Sequence, residues 1–280
     1  MTEILKGNVV ATSIKEDMKI RIENLKAKNI IPTLGIIRLG DNPSDVSYEK
    51  SIIKACEKMD MKAEVFEKDT QITTEDLIDL MEDLNNNPKI SGILLFRPLP
   101  KHIDEEKIRN AINPDKDVDC MHPLNLEKIF EGNLEGFSPC TPKAAMEILL
   151  FNKVELEGKD VVVINRSMVV GKPLVMMLLE KNATVTICHS RTKDLKVKTK
   201  RADVVVTALG RPKFFTMDYF NEDSIVIDVG VGVTQEGKLS GDVDYEDVSE
   251  KVKMITPVPG GVGSVTTTIL LNQVLLAAEK

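Results

Sequence analysis

The residues with the most evident chemistry lie in Val161-Val-Val-Ile-Asn-Arg-Ser-Met-Val-Val-Gly-Lys-Pro173. An apolar run ends in Asn165, Arg166 and Ser167, and a helical pattern starts around Val170, Gly171 and Lys172. A helix start after a buried strand offers unpaired N–H groups and the positive end of the helix dipole, which suits phosphate. The spacing is not the G-x-G-x-x-G fingerprint, and an ordinary strand–helix turn would look the same. The next apolar run, 184–188, ends in His189-Ser190-Arg191-Thr192. Dinucleotide folds place an acid here for the ribose 2′-hydroxyl. This chain has Ser190 and Arg191 instead, with Arg166 on the preceding turn, which favours the 2′-phosphate of NADP, with NAD as the alternative. Two further runs end at glycine turns: 202–210, with Thr207 and Gly210, and 226–230, followed by Val231. Ligands gather at such carboxyl ends. Pro259, Gly260 and Gly261 belong to a glycine-rich loop that either admits backbone close to a ligand or simply turns the chain.

These segments need a sheet to hold them. Short apolar runs at 33–39, 62–67, 91–96, 160–165, 184–188, 203–208, 224–229 and 253–255 alternate with amphipathic stretches at 17–27, 43–59 and 73–86. The alternation predicts an α/β fold of parallel strands with crossover helices. The 280 residues have room for two lobes. Thr141-Pro142 reads as an N-cap with proline at the first helical position, and a boundary is placed there. Residues 1–140 with 266–280 form one lobe and 141–265 a Rossmann-like nucleotide lobe, with a cleft expected between them. The formal charge of −7 and the scattered lysines and arginines argue against a nucleic-acid partner. No eighteen-residue apolar window predicts a membrane span, and the acidic N-terminus lacks the apolar core of a secretory signal. A cytoplasmic setting with reduced Cys56, Cys120, Cys140 and Cys188 follows, and neither the cysteines nor His102, His122 and His189 have metal-ligand spacing.

Eight strings, taken in order, carry a resemblance. They are Gly40-Asp-Asn-Pro-Ser44, Pro114-Asp-Lys-Asp-Val-Asp119, Pro139-Cys-Thr-Pro142, Arg166-Ser167 with Val170-Gly-Lys-Pro173, Cys188-His-Ser-Arg-Thr192, Ile227-Asp-Val-Gly230, Gly241-Asp-Val-Asp244 and Pro257-Val-Pro-Gly-Gly-Val-Gly263. With them the chain resembles the methylenetetrahydrofolate dehydrogenase/methenyltetrahydrofolate cyclohydrolase family over essentially its full length. The resemblance implies a folate-binding first lobe, a tetrahydrofolate one-carbon substrate and a homodimer. It implies that Tyr48 packs against the folate, that Asp119 hydrogen-bonds the pterin, and that the loop at Pro259, Gly260 and Gly261 faces the ligands. It also implies that Arg166, Ser190 and Arg191 surround the adenosine 2′-phosphate.

The match breaks at two positions. Bifunctional members resemble one another in a Tyr-x-x-x-Lys motif and a glutamine before the Pro-Leu-Pro turn; here Ile52 and Phe96 stand at those places. At about 100° per helical residue, Ile52 shares a face with Tyr48, whereas Lys50 (about 200° away) and Lys54 (about 240° away) point elsewhere. Arg97, next to Phe96 on the expected strand, should face the opposite side. Asn165 and Cys120 stand where the family commonly has glycine, and Ser264 where it commonly has proline. Hydride transfer needs alignment and no protein base, whereas hydrolysis of the methenyl cation needs proton transfer, typically worth about 10²–10⁴-fold. A dehydrogenase with weak or absent cyclohydrolase activity is therefore expected. The alternatives are a fully bifunctional enzyme, a non-catalytic folate- or nucleotide-binding paralogue, and a dehydrogenase of another small substrate.

Overall fold

Element ends follow the local chemistry of the chain. A computed structural model describes residues 1–133 and 135–280. In chain order the first part runs β1 (Glu3–Ile4), α1 (Gly7–Lys26), β2 (Thr33–Leu39), α2 (Pro43–Glu57), β3 (Lys62–Lys68), α3 (Thr74–Asn86), β4 (Gly92–Leu95), α4 (Glu105–Ala111) and α5 (Pro123–Phe130). It continues with α6 (Cys140–Phe151), β5 (Asp160–Ile164), α7 (Gly171–Leu179), β6 (Thr184–Cys188), α8 (Leu195–Arg201), β7 (Val204–Thr207), β8 (Ile225–Asp228), β9 (Gly232–Val233), β10 (Leu239–Ser240), α9 (Tyr245–Val248), β11 (Met254–Ile255) and α10 (Val262–Ala278). No helix is long and apolar enough to cross a membrane among the described residues.

The chain splits into two compact units. One comprises Met1–Ser13, Ile129–Asn133 and Pro139–Thr266. Its sheet has the order β1-β11-β8-β7-β5-β6, and every pairing is parallel. The central strands are valine-rich and buried on both faces, as a helix-covered parallel sheet requires. The other unit comprises Ile14–Lys128, Leu134–Ser138 and Thr267–Lys280 and holds the parallel sheet β3-β2-β4. Its core packs Ile37, Ile93 and Leu95 with Leu77, Met81 and Leu84 of α3.

Several expectations shift. The sequence assigns residues 1–13 to the first lobe, but β1 pairs with β11, so Met1–Ser13 belongs with the six-stranded sheet. A two-residue strand is too short to show periodicity. The helix expected from Asp17 starts at Gly7, where β-branched Val9 and Val10 obscure its pattern. Thr141 is not the N-cap of α6: Pro139 holds that place and Thr141 lies in the first turn. Thr73 does cap α3, accepting the Asp76 N–H at 3.1 Å.

In the second unit, α2 is tied to β2 by a buried ion pair. Arg38 Nε donates to Glu49 Oε2 at 2.7 Å, with side chains 6% and 9% exposed. Arg38 also donates to Glu67 at 2.8 Å and to the Gly40 carbonyl. Breaking a buried pair typically costs about 3–5 kcal/mol because it strands a charge. Glu67 and the Gly40 carbonyl remain after Glu49→Ala, so the expected loss is smaller, roughly 2 kcal/mol. Urea denaturation should show it, whereas Glu23→Ala, which removes a carboxylate from the exposed Lys26 ammonium, should leave the midpoint nearly unchanged.

Candidate functional site

In the second unit, three segments carry the expected substrate residues. Asn42 caps α2 by accepting the Ser44 N–H, and Pro43 opens the helix. The helix buries Glu49, Ile52 and Cys56 as one stripe and leaves Tyr48 at its edge, 39% exposed. The Tyr48 ring stacks on Phe96, with centroids 5.6 Å apart and planes at 29°. Ile52, one turn beyond Tyr48, is fully buried. Ile52 and Phe96 are thus core side chains, and Phe96 supports the tyrosine ring.

The third segment is the turn through Asp119. Asp117 is completely buried and its carboxylate accepts the N–H groups of Met121 and His122 and the Asn125 amide, each at 2.9 Å. Burial pushes the Asp117 carboxyl above its ordinary range against these donors. Cys120, at the common glycine position, has φ +54, the left-handed region that glycine adopts most cheaply. Arg97 is a correction. β4 ends at Leu95, so strand alternation does not extend to residue 97, and Arg97 Nη2 donates to Asp119 Oδ2 at 3.0 Å.

The first unit gathers the expected nucleotide residues at the carboxyl ends of β5 to β8. Asn165 follows β5, and its Oδ1 accepts from Ser167 N at 2.7 Å and Gly171 N at 3.1 Å, while its Nδ2 donates to the Ala208 carbonyl at 2.6 Å. One side chain joins the ends of β5 and β7 to the start of α7. A Cβ at Gly171 would lie 2.2 Å from the Asn165 carbonyl oxygen, so the close approach demands glycine. Val170 N donates to Ser167 Oγ and Lys172 N to the Ser167 carbonyl. The amides of Val170, Gly171 and Lys172, expected to stand free for phosphate, are therefore engaged within the turn.

Arg166, Lys172, Ser190 and Arg191 are exposed, and among the described residues none of the three cations forms an ion pair. Three unengaged cations and a serine at the ends of β5 and β6 fit a phosphate-bearing dinucleotide. Val231 is 52% exposed and Gly210 turns with φ +67. Thr207, expected beside the cofactor, is fully buried and donates its hydroxyl to Asp228 Oδ1 at 2.9 Å. Pro259 and Gly260 are exposed and Gly261 is buried; the Gly260 carbonyl accepts Gly7 N–H at 2.8 Å.

Sequence reasoning missed two buried carboxylates. Asp228 accepts from Thr207, Gly230 N, Asp242 N and Val243 N. Asp242 accepts from Leu209 N and, at 2.6 Å, from Arg211 N. Both lie in strings quoted for the resemblance, and an acid inside an apolar strand end was the available signal. Burial raises both carboxyls, Asp228 to about 6.

The model described as "Tetrahydrofolate dehydrogenase/cyclohydrolase, catalytic domain" matches residues 5–119, and that described as "Tetrahydrofolate dehydrogenase/cyclohydrolase, NAD(P)-binding domain" matches residues 139–280. A relative from Clostridium botulinum (strain Langeland), "Bifunctional protein FolD", is 60% identical over 280 residues, covering 100% of this chain and 99% of its own. The bifunctional methylenetetrahydrofolate dehydrogenase/cyclohydrolase of Campylobacter jejuni superposes with a TM-score of 0.97 at 41% identity, over 100% of this chain and 99% of that one. The Trypanosoma brucei dehydrogenase-cyclohydrolase, solved with NADP and an inhibitor, gives 0.94 at 31% identity, over 99% and 97%.

A carboxyl whose folded value is raised stabilises the fold while it is protonated. That contribution is complete below the unfolded value near 3.9 and is lost as pH rises through about 6. Asp228→Asn should remove this slope: the fall in urea midpoint between pH 4.5 and pH 7 should be smaller in the variant than in the parent.

Proposed function

Because the chain belongs to the tetrahydrofolate dehydrogenase/cyclohydrolase family, we propose that it oxidises 5,10-methylenetetrahydrofolate to 5,10-methenyltetrahydrofolate with NADP, and hydrolyses the methenyl product more slowly than its lysine-bearing relatives. The observation that carries the reading is the Tyr48–Phe96 stack beside Asp119-bearing turn chemistry in one unit, together with three unengaged cations at the strand ends of the other. When bound, NADP supplies the hydride acceptor. Arg166, Ser190 and Arg191 hold its 2′-phosphate, Lys172 adds charge at the start of α7, and Tyr48 and Asp119 orient the folate. The stacked Tyr48 and Phe96 rings keep water from the side of the substrate they cover, and hydride transfer takes no proton from the protein.

The second activity has support on both sides. Relatives at 60% identity are named bifunctional, which favours two activities over the expectation that cyclohydrolase is weak or absent. The apolar Ile52 and Phe96 offer no group to move a proton, which favours a slow second step and a second reading as dehydrogenase alone. The proposal also includes a homodimer, which the uncovered edge strands β3 and β6 would accommodate.

Two measurements test this. Methenyltetrahydrofolate mixed with the enzyme should decay faster than in buffer, and Ile52→Lys with Phe96→Gln should raise that rate roughly 10²-fold while NADPH formation stays within a few-fold. The paired change matters, because a lysine alone would enter a closed apolar site without a partner. No decay above buffer selects the dehydrogenase-only reading, and no rise in the double variant removes position 52 as the cause. For the cofactor, Arg191→Ala should raise the KM for NADP roughly tenfold and leave the KM for NAD nearly unchanged.

A further inference from the structure

We propose that Arg97 is a positioning residue for Asp119 and thereby sets the affinity for folate; this rests on the reading of Asp119 as the pterin-binding group. Two consecutive residues brace the two proposed substrate contacts. Phe96 stacks on Tyr48 at 5.6 Å, and Arg97 Nη2 donates to Asp119 Oδ2 at 3.0 Å. The main chain around Asp119 is held by other groups: Asp117 collects the amides of Met121 and His122, and Gln273 Nε2 donates to the Val118 carbonyl at 2.6 Å. Those contacts place the backbone of the turn, whereas Arg97 Nη2 bonds the carboxylate itself.

The environment suits that task. The side chains of Arg97 and Asp119 are 19% and 26% exposed, so solvent screens the pair only in part. A carboxylate held in one orientation before binding loses less freedom when it meets the pterin, which lowers the cost of association.

The experiment is steady-state kinetics on the full chain, varying methylenetetrahydrofolate at saturating NADP and then NADP at saturating folate, with melting curves as a check on folding. Arg97→Leu should raise the KM for the folate roughly three- to tenfold and leave the KM for NADP unchanged. Arg97→Lys should recover part of the loss, because it keeps the charge and not the fork. In an Asp119→Asn background, Arg97→Leu should have no further effect. A parental folate KM in Arg97→Leu, an equal rise in both KM values, or the same rise in the Asp119→Asn background overturns the proposal. A parental folate KM in Asp119→Asn alone overturns the assignment of Asp119 itself, and Arg97 falls with it by a separate route.

Discussion

Burying a carboxylate is costly unless donors surround it, and this chain uses that constraint to hold its loops. Asp117, Asp228 and Asp242 are each 2% exposed or less, and each collects backbone amides from a neighbouring turn. Asp117 fixes the turn that carries Asp119. Asp228 and Asp242 act in series, since Asp242 donates its amide to Asp228 while its carboxylate accepts from the 209–211 turn. The loops at the ends of β7 and β8 are therefore not independent, and a change in one is felt in the other. Glycine enters where those acids press closest: a Cβ at Gly230 would lie 2.1 Å from the Asp242 carboxylate carbon.

In the unit that carries Tyr48, rigidity comes from an ion pair and a ring stack. Arg38 and Glu49 fix the register of α2 on β2, so Tyr48, one residue before Glu49, inherits a defined place. Phe96 then supports the tyrosine ring without a hydrogen bond. The side chains of Ile52 and Phe96 contribute packing to this region.

Much of this was legible from the residues. Apolar runs located β2, β5, β7 and β8 to within about a residue or two at each end, because parallel strands buried on both faces leave a continuous apolar signal. The amphipathic stretches at 43–59 and 73–86 located α2 and α3 in the same way. What escaped depended on partners far along the chain. β1 exists because of β11, some 250 residues away in sequence, and has no local signature. Arg97 was misplaced because the strand period was carried past the end of β4. Asn165 showed as the polar end of an apolar run and as a departure from glycine, but its three hydrogen bonds to separate segments were invisible to spacing.

The four thiols have one further consequence. Cys56 and Cys120 lie in one unit and Cys140 and Cys188 in the other, and all four thiols are buried. Burial pushes the Cys56 thiol up to about 12 and the Cys120 thiol well above its ordinary range, so both are protonated as well as inaccessible in the native state. The folded chain is thus silent to thiol reagents, and each unit carries two internal probes that become reactive only when that unit opens. Local breathing of the two halves can be followed separately with no label engineered into the molecule.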